Sequence, residues 1–440
     1  MPTYKIVILG GGNASGYAAR ALIENGLKAG ELAIITEENY VAYERPALSK
    51  GYLVGAARLP GFHTCVGGGG ERQPPEWYGE KGIAYLTGSR VTKADLATKA
   101  LTLESGEVVS YDKLIIATGA RPIFLTEFKT PGADLRGLHY LRDVKDADAL
   151  VAAMAATKEA GGKAVVVGGG YIGMEVAAGL AANGLPVTMV FPDERLMQRL
   201  FTPQLAAVYE RLYEGKGVKV LKGVKVTGFA GADGKVTAVE YVAAAGGEAQ
   251  QLEASLVVVG VGARANVELF AGQLEVAAGG IKVDGQMATS VPDVYAIGDV
   301  AAFPLTSIAT GDVSYVRQEH VTHCRLSAAQ AAKAVMGLSP APYDYLPFFY
   351  SRVFSLSWVF YGEAPASTTP LHFGDTEEAK TFGCLWLGAG GQLVGAFLEG
   401  GSAEDAALLK SAVAARVAVA AEGLDTASSA ATLAAIKAKL

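Results

Sequence analysis

Two stretches of the chain follow one pattern, and that repeat constrains the fold more than any other feature. Residues 4–38 read YKIVILGGGNASGYAARALIENGLKAGELAIITEE, and residues 163–196 read KAVVVGGGYIGMEVAAGLAANGLPVTMVFPDERL. Each runs from an apolar segment into a glycine cluster, through a helix-like stretch, and out along a second apolar segment to an acid. Apolar runs on both sides of a helical pattern read as parallel strands joined by a crossover helix, the βαβ unit. Parallel strands are buried on both faces, so each unit calls for a sheet covered by helices. The copies share little beyond their glycines, which makes this a repeated fold rather than a tandem array.

The glycine spacing gives the turns a purpose. In the first unit Gly10 and Gly12 hold the first two places of G-x-G-x-x-G, and Ser15 the third, followed by Gly16. The first glycine permits the tight turn, and the second lets the backbone approach a pyrophosphate. A small third residue allows close helix–strand packing. Gly11, Asn13 and Ala14 complete a segment that opens a helix, whose free N–H groups and dipole favour phosphate. Glu37 and Glu38 close the unit, where an acid accepts hydrogen bonds from a ribose. The second unit is cleaner: Gly168, Gly170 and Gly173 fit the spacing, with Tyr171 and Ile172 between them, and Asp193 stands at the ribose position. An acid there favours the free 2′-hydroxyl of NADH and repels the 2′-phosphate of NADPH. Arg195 and Arg199 soften that discrimination, leaving NADPH as the weaker alternative. Two dinucleotides in one chain point to a bound flavin and an exchangeable nicotinamide nucleotide, held so that hydride passes between their rings.

The remaining segments suit this plan. VVSYDKLIIATGARP (108–122), LVVVGVGAR (256–264) and TSVPDVYAIGDVAAF (289–303) read as strands, and 320–337 as a helix ending at Gly337. From about 338 prolines and aromatics gather, then alternating runs at 380–398 and an Ala-rich tail indicate a third, α+β domain. Gly67–Gly70 read as a loop. The net charge of −6 gives no reason to expect nucleic acid or an anionic membrane as partner. Cys65, Cys324 and Cys384 form no C-x-x-C pair, which argues against a disulfide scaffold and a dithiol redox centre and for a reducing compartment. His320 and His323 lie in one segment without the companions of a metal site, so no metal is expected. The first strand begins by Tyr4, leaving no room for a leader, and no apolar run is long enough to span a bilayer. A cytoplasmic location is expected. The alternative is peroxisomal, because Ala438-Lys439-Leu440 differs by one small residue from the Ser-Lys-Leu address.

Four elements together, the two glycine fingerprints, LIIATGARP and TSVPDVYAIGD, resemble the two-dinucleotide-domain flavoprotein reductases. The resemblance implies an α/β fold with two Rossmann-like, glutathione-reductase-like dinucleotide-binding domains and a C-terminal α+β domain. The expected division is 1–123 for the first part of an FAD domain, 124–252 for an NAD(H) domain, 253–322 for the second part of the FAD domain, and 323–440 for the last. Longer strings, YERPALSKGYL (43–53), VRQEHVTHCR (316–325), YLPFFYSRVFSLSWVFYG (345–362) and GAFLEGG (395–401), resemble the monodehydroascorbate reductase family. Carried over residue by residue, that resemblance implies FAD contacts at the first turn and at Glu38, Arg45, Lys50, Val91, Arg142, Asp143, Asp299, Val321 and Tyr350. It implies NADH contacts at the second turn and at Asp193, Arg199, Gly262, Glu319 and His320, with Arg325 and Arg352 on the substrate anion. Two places depart from the family: Asp193 stands where Glu is common, and Thr322 where Asp is usual.

The chemistry implied is transfer of hydride from NADH to FAD and release of single electrons to the monodehydroascorbate radical, without any protein thiol. Arg325, Arg352 and Tyr350 are the expected catalytic set, because planar, permanently charged guanidinium groups suit a small acidic acceptor. Ordinary structural roles stand beside these. Arg325 could pair on its helix, Arg352 could bridge domains, Tyr350 could be core, and His320 could be a local hydrogen-bond partner. Lys50 is expected beside the flavin, where it could pair with Glu175. Two rival functions use the same scaffold. A ferredoxin or rubredoxin reductase needs a docking face for an acidic protein. An interaction protein resembling apoptosis-inducing factor would carry a basic surface, which this chain lacks. No obligatory protein partner is expected.

Overall fold

The computed structural model describes residues 2–59, 61–64, 71–377, 380–422 and 424–440. Cys65 and the glycine run 67–70 lie outside the described residues. The first sheet has the strand order 84–86, 32–35, 3–9, 108–116, 100–103, 91–95. Strand Thr3–Leu9 lies at its centre with Ile6 to Leu9 buried on both faces, as a parallel interior strand requires. Strand Val108–Ile116 is long enough to serve two neighbours on one side. Its beginning pairs antiparallel with Ala100–Leu103, and its end pairs parallel with Val294–Ala296. The chain therefore returns to complete its first sheet only after the second unit has been built.

That second unit is a parallel sheet ordered 218–222, 187–191, 164–167, 256–259, 138–139. Strands Ala164–Val167 and Leu256–Val259 are buried throughout. The expected boundary at 252/253 is corrected here. Strand Leu256–Val259 pairs with Ala164–Val167 on one side and Leu138–His139 on the other, because a wholly apolar strand needs ladder partners on both edges. The two crossings between units meet further on, as an antiparallel ribbon of Ala120–Pro122 with Ala263–Ala265. The boundary at 322/323 also moves. Helix Val321–Val335 runs across it and packs Cys324, Ala328, Ala331, Ala332 and Val335 into the core of the first sheet.

The C-terminal sheet is antiparallel and five-stranded, ordered 348–353, 356–362, 393–399, 382–387, 369–374. Helices Ala403–Ala414 and Ser429–Lys437 pack on it through Leu409, Val413, Leu433 and Ile436. Its other side docks on the second unit. Phe201 stacks on Tyr209 at 4.9 Å and meets Trp358 and Phe397 edge-on at 5.7 and 5.6 Å. The buried Glu399 accepts hydrogen bonds from Tyr209 Oη and Ser357 N, both at 2.7 Å, so this acid is satisfied inside the interface.

All five histidines have pKa values below the ordinary 6.5, each chiefly through burial. His323 is fully buried, stacked on Phe303 at 4.6 Å with its Nδ1 3.0 Å from Tyr343 Oη, and is pushed down to about 4. The unfolded chain thus binds more protons than the folded one between pH 6.5 and about 4. Stability is present above pH 6.5 and falls with pH across that window, by about 1.4 kcal/mol per unit for each fully shifted histidine. Urea unfolding at pH 7 and pH 5 is expected to show this loss, and His323→Phe is expected to lose less.

Candidate active site

Both glycine turns are built by close backbone approach. Gly10 has φ +118°, and a Cβ there would lie 2.2 Å from the carbonyl oxygen of Ala117. Gly168 repeats this at φ +130°, 2.2 Å from the oxygen of Gly260. At the third place, a Cβ on Gly173 would strike the Gly168 oxygen at 2.2 Å. The first turn carries Ser15 there, and its hydroxyl donates to the equivalent carbonyl of Gly10 at 2.5 Å, turning a contact into a hydrogen bond.

The helices that follow begin at Gly12 and Gly170, and neither has a side-chain cap. Among the described residues, every other helix longer than two turns is capped by a side chain: Asp143, Thr202, His320, Ser402 or Ser428. Two helix starts are thus left with free N–H groups suited to phosphate oxygens. The first opens on a cleft of about 900 Å³. A Cβ on Gly12 would stand 3.5 Å from Arg45 Nε, so its hydrogens keep the cradle floor clear. Size, bare helix start and backbone approach fit an extended dinucleotide such as FAD.

Of the residues expected at FAD, Gly10 to Ala14, Glu38, Arg45, Val91, Arg142 and Asp299 line this cleft. Ser15, Gly16, Lys50, Asp143, Val321 and Tyr350 do not. Asp143 caps helix Val144–Glu159 by accepting from Asp146 N at 2.9 Å. The charged lining is already networked. Glu38 pairs with Arg45 and accepts from Tyr43 Oη at 2.6 Å, Arg45 donates to the Arg142 carbonyl at 2.9 Å, and Arg142 lies 3.6 Å from Asp299. Cys324 lines the same cleft with its thiol 3.4 Å from Asp299 Oδ1, and burial followed by that acid raises its pKa well above the ordinary thiol value. It is a neutral thiol and a poor nucleophile.

A second group of side chains gathers where the three sheets meet. Lys50 Nζ is 2.8 Å from Glu175 Oε2, and the Ser49 and Ser351 hydroxyls also donate to this buried carboxylate. The Tyr171 ring meets Phe349 edge-on at 4.9 Å, and the His320 ring lies 4.8 Å from Phe349 and 4.9 Å from Tyr350. Burial, then the Lys50 charge, pushes His320 down to about 4, so it is neutral near pH 7; its ring nitrogen accepts from Thr322 N at 3.4 Å. The pKa of the Tyr350 hydroxyl is raised chiefly by burial, with the charges of Arg325, Glu44, Glu175 and Arg352 acting on it in opposite senses. Arg325 lies 3.4 Å from Glu44 and 5.2 Å over the Tyr17 ring. Arg352 sits exposed on strand Phe348–Val353 opposite Ser357.

The remaining expected nucleotide contacts surround the second turn or its approaches. Asp193 and Arg199 are exposed just past strand Val187–Phe191, in a loop tied to the turn by Met197 N donating to Gly169 O at 2.9 Å. Gly262 has φ +125° in the crossing, and Glu319 pairs with Arg317 at 2.8 Å. Sequence reasoning did not single out Glu44, Tyr17, Ser49 or Ser351. Their partners lie between 27 and 281 residues away, so no local pattern marks them.

Comparison with known proteins agrees with this architecture. Residues 4–333 match the family described as pyridine nucleotide-disulphide oxidoreductase, and 346–430 match the C-terminal domain described as monodehydroascorbate reductase 3-like. A monodehydroascorbate reductase of Solanum lycopersicum is 51% identical over 413 residues, covering 92% of both chains. A form from Arabidopsis thaliana named peroxisomal is 50% identical, also with 92% of both covered. One from Oryza sativa subsp. japonica named cytosolic is 51% identical over 91% of this chain and 92% of its own. Among solved structures, the ferredoxin reductase for the CYP199A2 system of Rhodopseudomonas palustris superposes with a TM-score of 0.85 at 30% identity, covering all of both chains.

Proposed function

Since the chain belongs to the pyridine nucleotide-disulphide oxidoreductase family and, within it, to the monodehydroascorbate reductases, we propose a division of labour among its residues, with NADH as the preferred donor. The chain is an FAD-dependent oxidoreductase that draws hydride from a pyridine nucleotide and delivers electrons to monodehydroascorbate, regenerating ascorbate. FAD, when bound, takes two electrons together and gives them up singly.

The N–H groups after Gly10–Gly12 and Gly168–Gly170 hold the two pyrophosphates. Tyr171, Phe349 and neutral His320 wall the meeting point and exclude water. Lys50 is pinned beside the flavin ring by Glu175. Arg325 and Arg352 hold the acceptor's anionic oxygens next to Tyr350. The observation supporting this reading is the Tyr350 ring, 4.9 Å from the His320 ring on the strand that carries Arg352, with the charges of Arg325 and Arg352 both acting on its hydroxyl. We read this cluster as the site for a small acid, beside the cleft that fits a dinucleotide.

An anaerobic visible spectrum tests it. The protein should be yellow, bleach on NADH, and recover colour when ascorbate and dehydroascorbate are added together, which comproportionate to two monodehydroascorbate radicals without oxygen. Recovery with a ferredoxin but not with the radical would move the assignment to the electron-transfer reductases. Asp193→Ala should lower the NADH-over-NADPH ratio of kcat/KM about tenfold while the flavin stays bound, since the carboxylate both accepts from the ribose and repels a 2′-phosphate. Loss of flavin instead would reverse the two nucleotide assignments. The compartment is read as cytoplasmic, with a peroxisomal address at Ala438-Lys439-Leu440 as the alternative; fluorescence from a fusion ending in this tail, with and without Leu440, distinguishes them.

A further inference from the structure

Glu44 is a buried acid that the assignments above leave unused. Its side chain is 9% exposed, Oε2 accepts from Asn13 Nδ2 at 2.6 Å, and Oε1 accepts from the Tyr17 hydroxyl and faces Arg325 Nη2 at 3.4 Å. Each neighbour offers donors, so the carboxylate is an acceptor on every side. The Arg325 guanidinium is held between this acid and the Tyr17 ring, while its buried Nε has no hydrogen-bond partner among the described residues.

The charges around Tyr350 then sum simply. Lys50 is matched by Glu175 and Arg325 by Glu44. His320 is neutral. Beyond this group, Arg142 faces Asp299 and Arg317 faces Glu319. Of the cations named here, Arg352 is the one that takes part in no ion pair among the described residues.

We propose that Glu44 sets the charge of the acceptor site: it cancels Arg325 while holding its guanidinium in place, so the site presents one net positive charge and selects small, singly charged anions over doubly charged ones of the same size. This rests on the proposed reading of Arg325 and Arg352. A second negative charge on a ligand finds no free counter-charge here and loses its hydration without return. Arg325 still supplies geometry, since its donors remain even when its charge is balanced. Replacing Glu44 by glutamine frees that charge.

Malonate, a dianion, and malonamate, its monoanionic half-amide, are probes of matched size. Their binding to the FAD-loaded enzyme can be measured by calorimetry, without turnover. The native protein should prefer malonamate. Glu44→Gln should shift the ratio of the two dissociation constants toward malonate by about tenfold, the effect of one added charge at close range. Glu44→Asp should keep the native ratio. A general loss of structure would weaken both ligands, whereas the freed charge should tighten both, malonate more than malonamate; an unshifted ratio in Glu44→Gln overturns the proposal. The salt dependence of radical reduction by the native enzyme gives a second measurement. A slope for one attracting charge supports the proposal, and a slope for two overturns it. Failure of the native enzyme to reduce the radical would instead remove the function proposed above, and the ligand ratios would still be readable.

Discussion

Arg352→Ala is expected to raise the KM for the radical acceptor by about 30-fold or more while changing the KM for NADH less than about threefold. The size follows from a charge-assisted hydrogen bond to an anion, worth roughly 2–3 kcal/mol when one partner is removed. Its direction follows from the site: Arg352 is exposed on strand Phe348–Val353 and takes part in no ion pair among the described residues. Steady-state rates with varied acceptor and fixed NADH give the first number, and the reverse arrangement gives the second. An uncharged quinone supplies the control, because it gains nothing from the cation. Equal losses with quinone and radical would show that Arg352 supports the strand rather than the anion.

Two glycine substitutions should separate the nucleotide sites more completely. Gly10→Ala places a methyl 2.2 Å from the Ala117 carbonyl oxygen at φ +118°, so the turn must open and the first strand must leave its neighbour. Opening costs several kcal/mol in a packed core, on the order of 3 or more. The variant should purify colourless or lose flavin on dialysis. Gly168→Ala makes the same collision with the Gly260 oxygen at φ +130°. This variant should stay yellow and fail to bleach with NADH, while dithionite still reduces it. Absorbance at the flavin maximum, before and after each reductant, reads both. Identical behaviour of the two variants would defeat the assignment of one nucleotide to each turn.

Much of this arrangement is visible in the chain because local pattern and global fold agree there. A glycine fingerprint between apolar strands has one economical structure, and both units adopt it. Ladder partners are another matter. Leu256–Val259 looks alike whether it belongs to the first sheet or the second, since a buried parallel strand presents the same residues in either, and the boundary drawn from sequence fell on its wrong side. Helix Val321–Val335 begins a new texture in sequence yet packs on old ground, where its alanines fit closely beside the first fingerprint helix. The site divides in the same way. The resemblance points to Arg325 and Arg352, whereas Glu44, the acid that faces Arg325, is recognisable only once Asn13 and Tyr17 are seen to converge on it. Buried polar groups are defined by partners distant along the chain, and composition carries no trace of them.

The late return of Val294–Ala296 to strand Val108–Ile116 bears on how the molecule is made. A ribosome must release nearly three hundred residues before that edge is covered, and the nascent amino-terminal portion waits meanwhile with bare ladder groups that invite pairing with other polypeptides. The interposed unit, whose strands lie close together in the chain, can be compact well before its host. Prematurely terminated products should therefore precipitate or recruit chaperones when they stop short of Val294, and become tractable shortly after it.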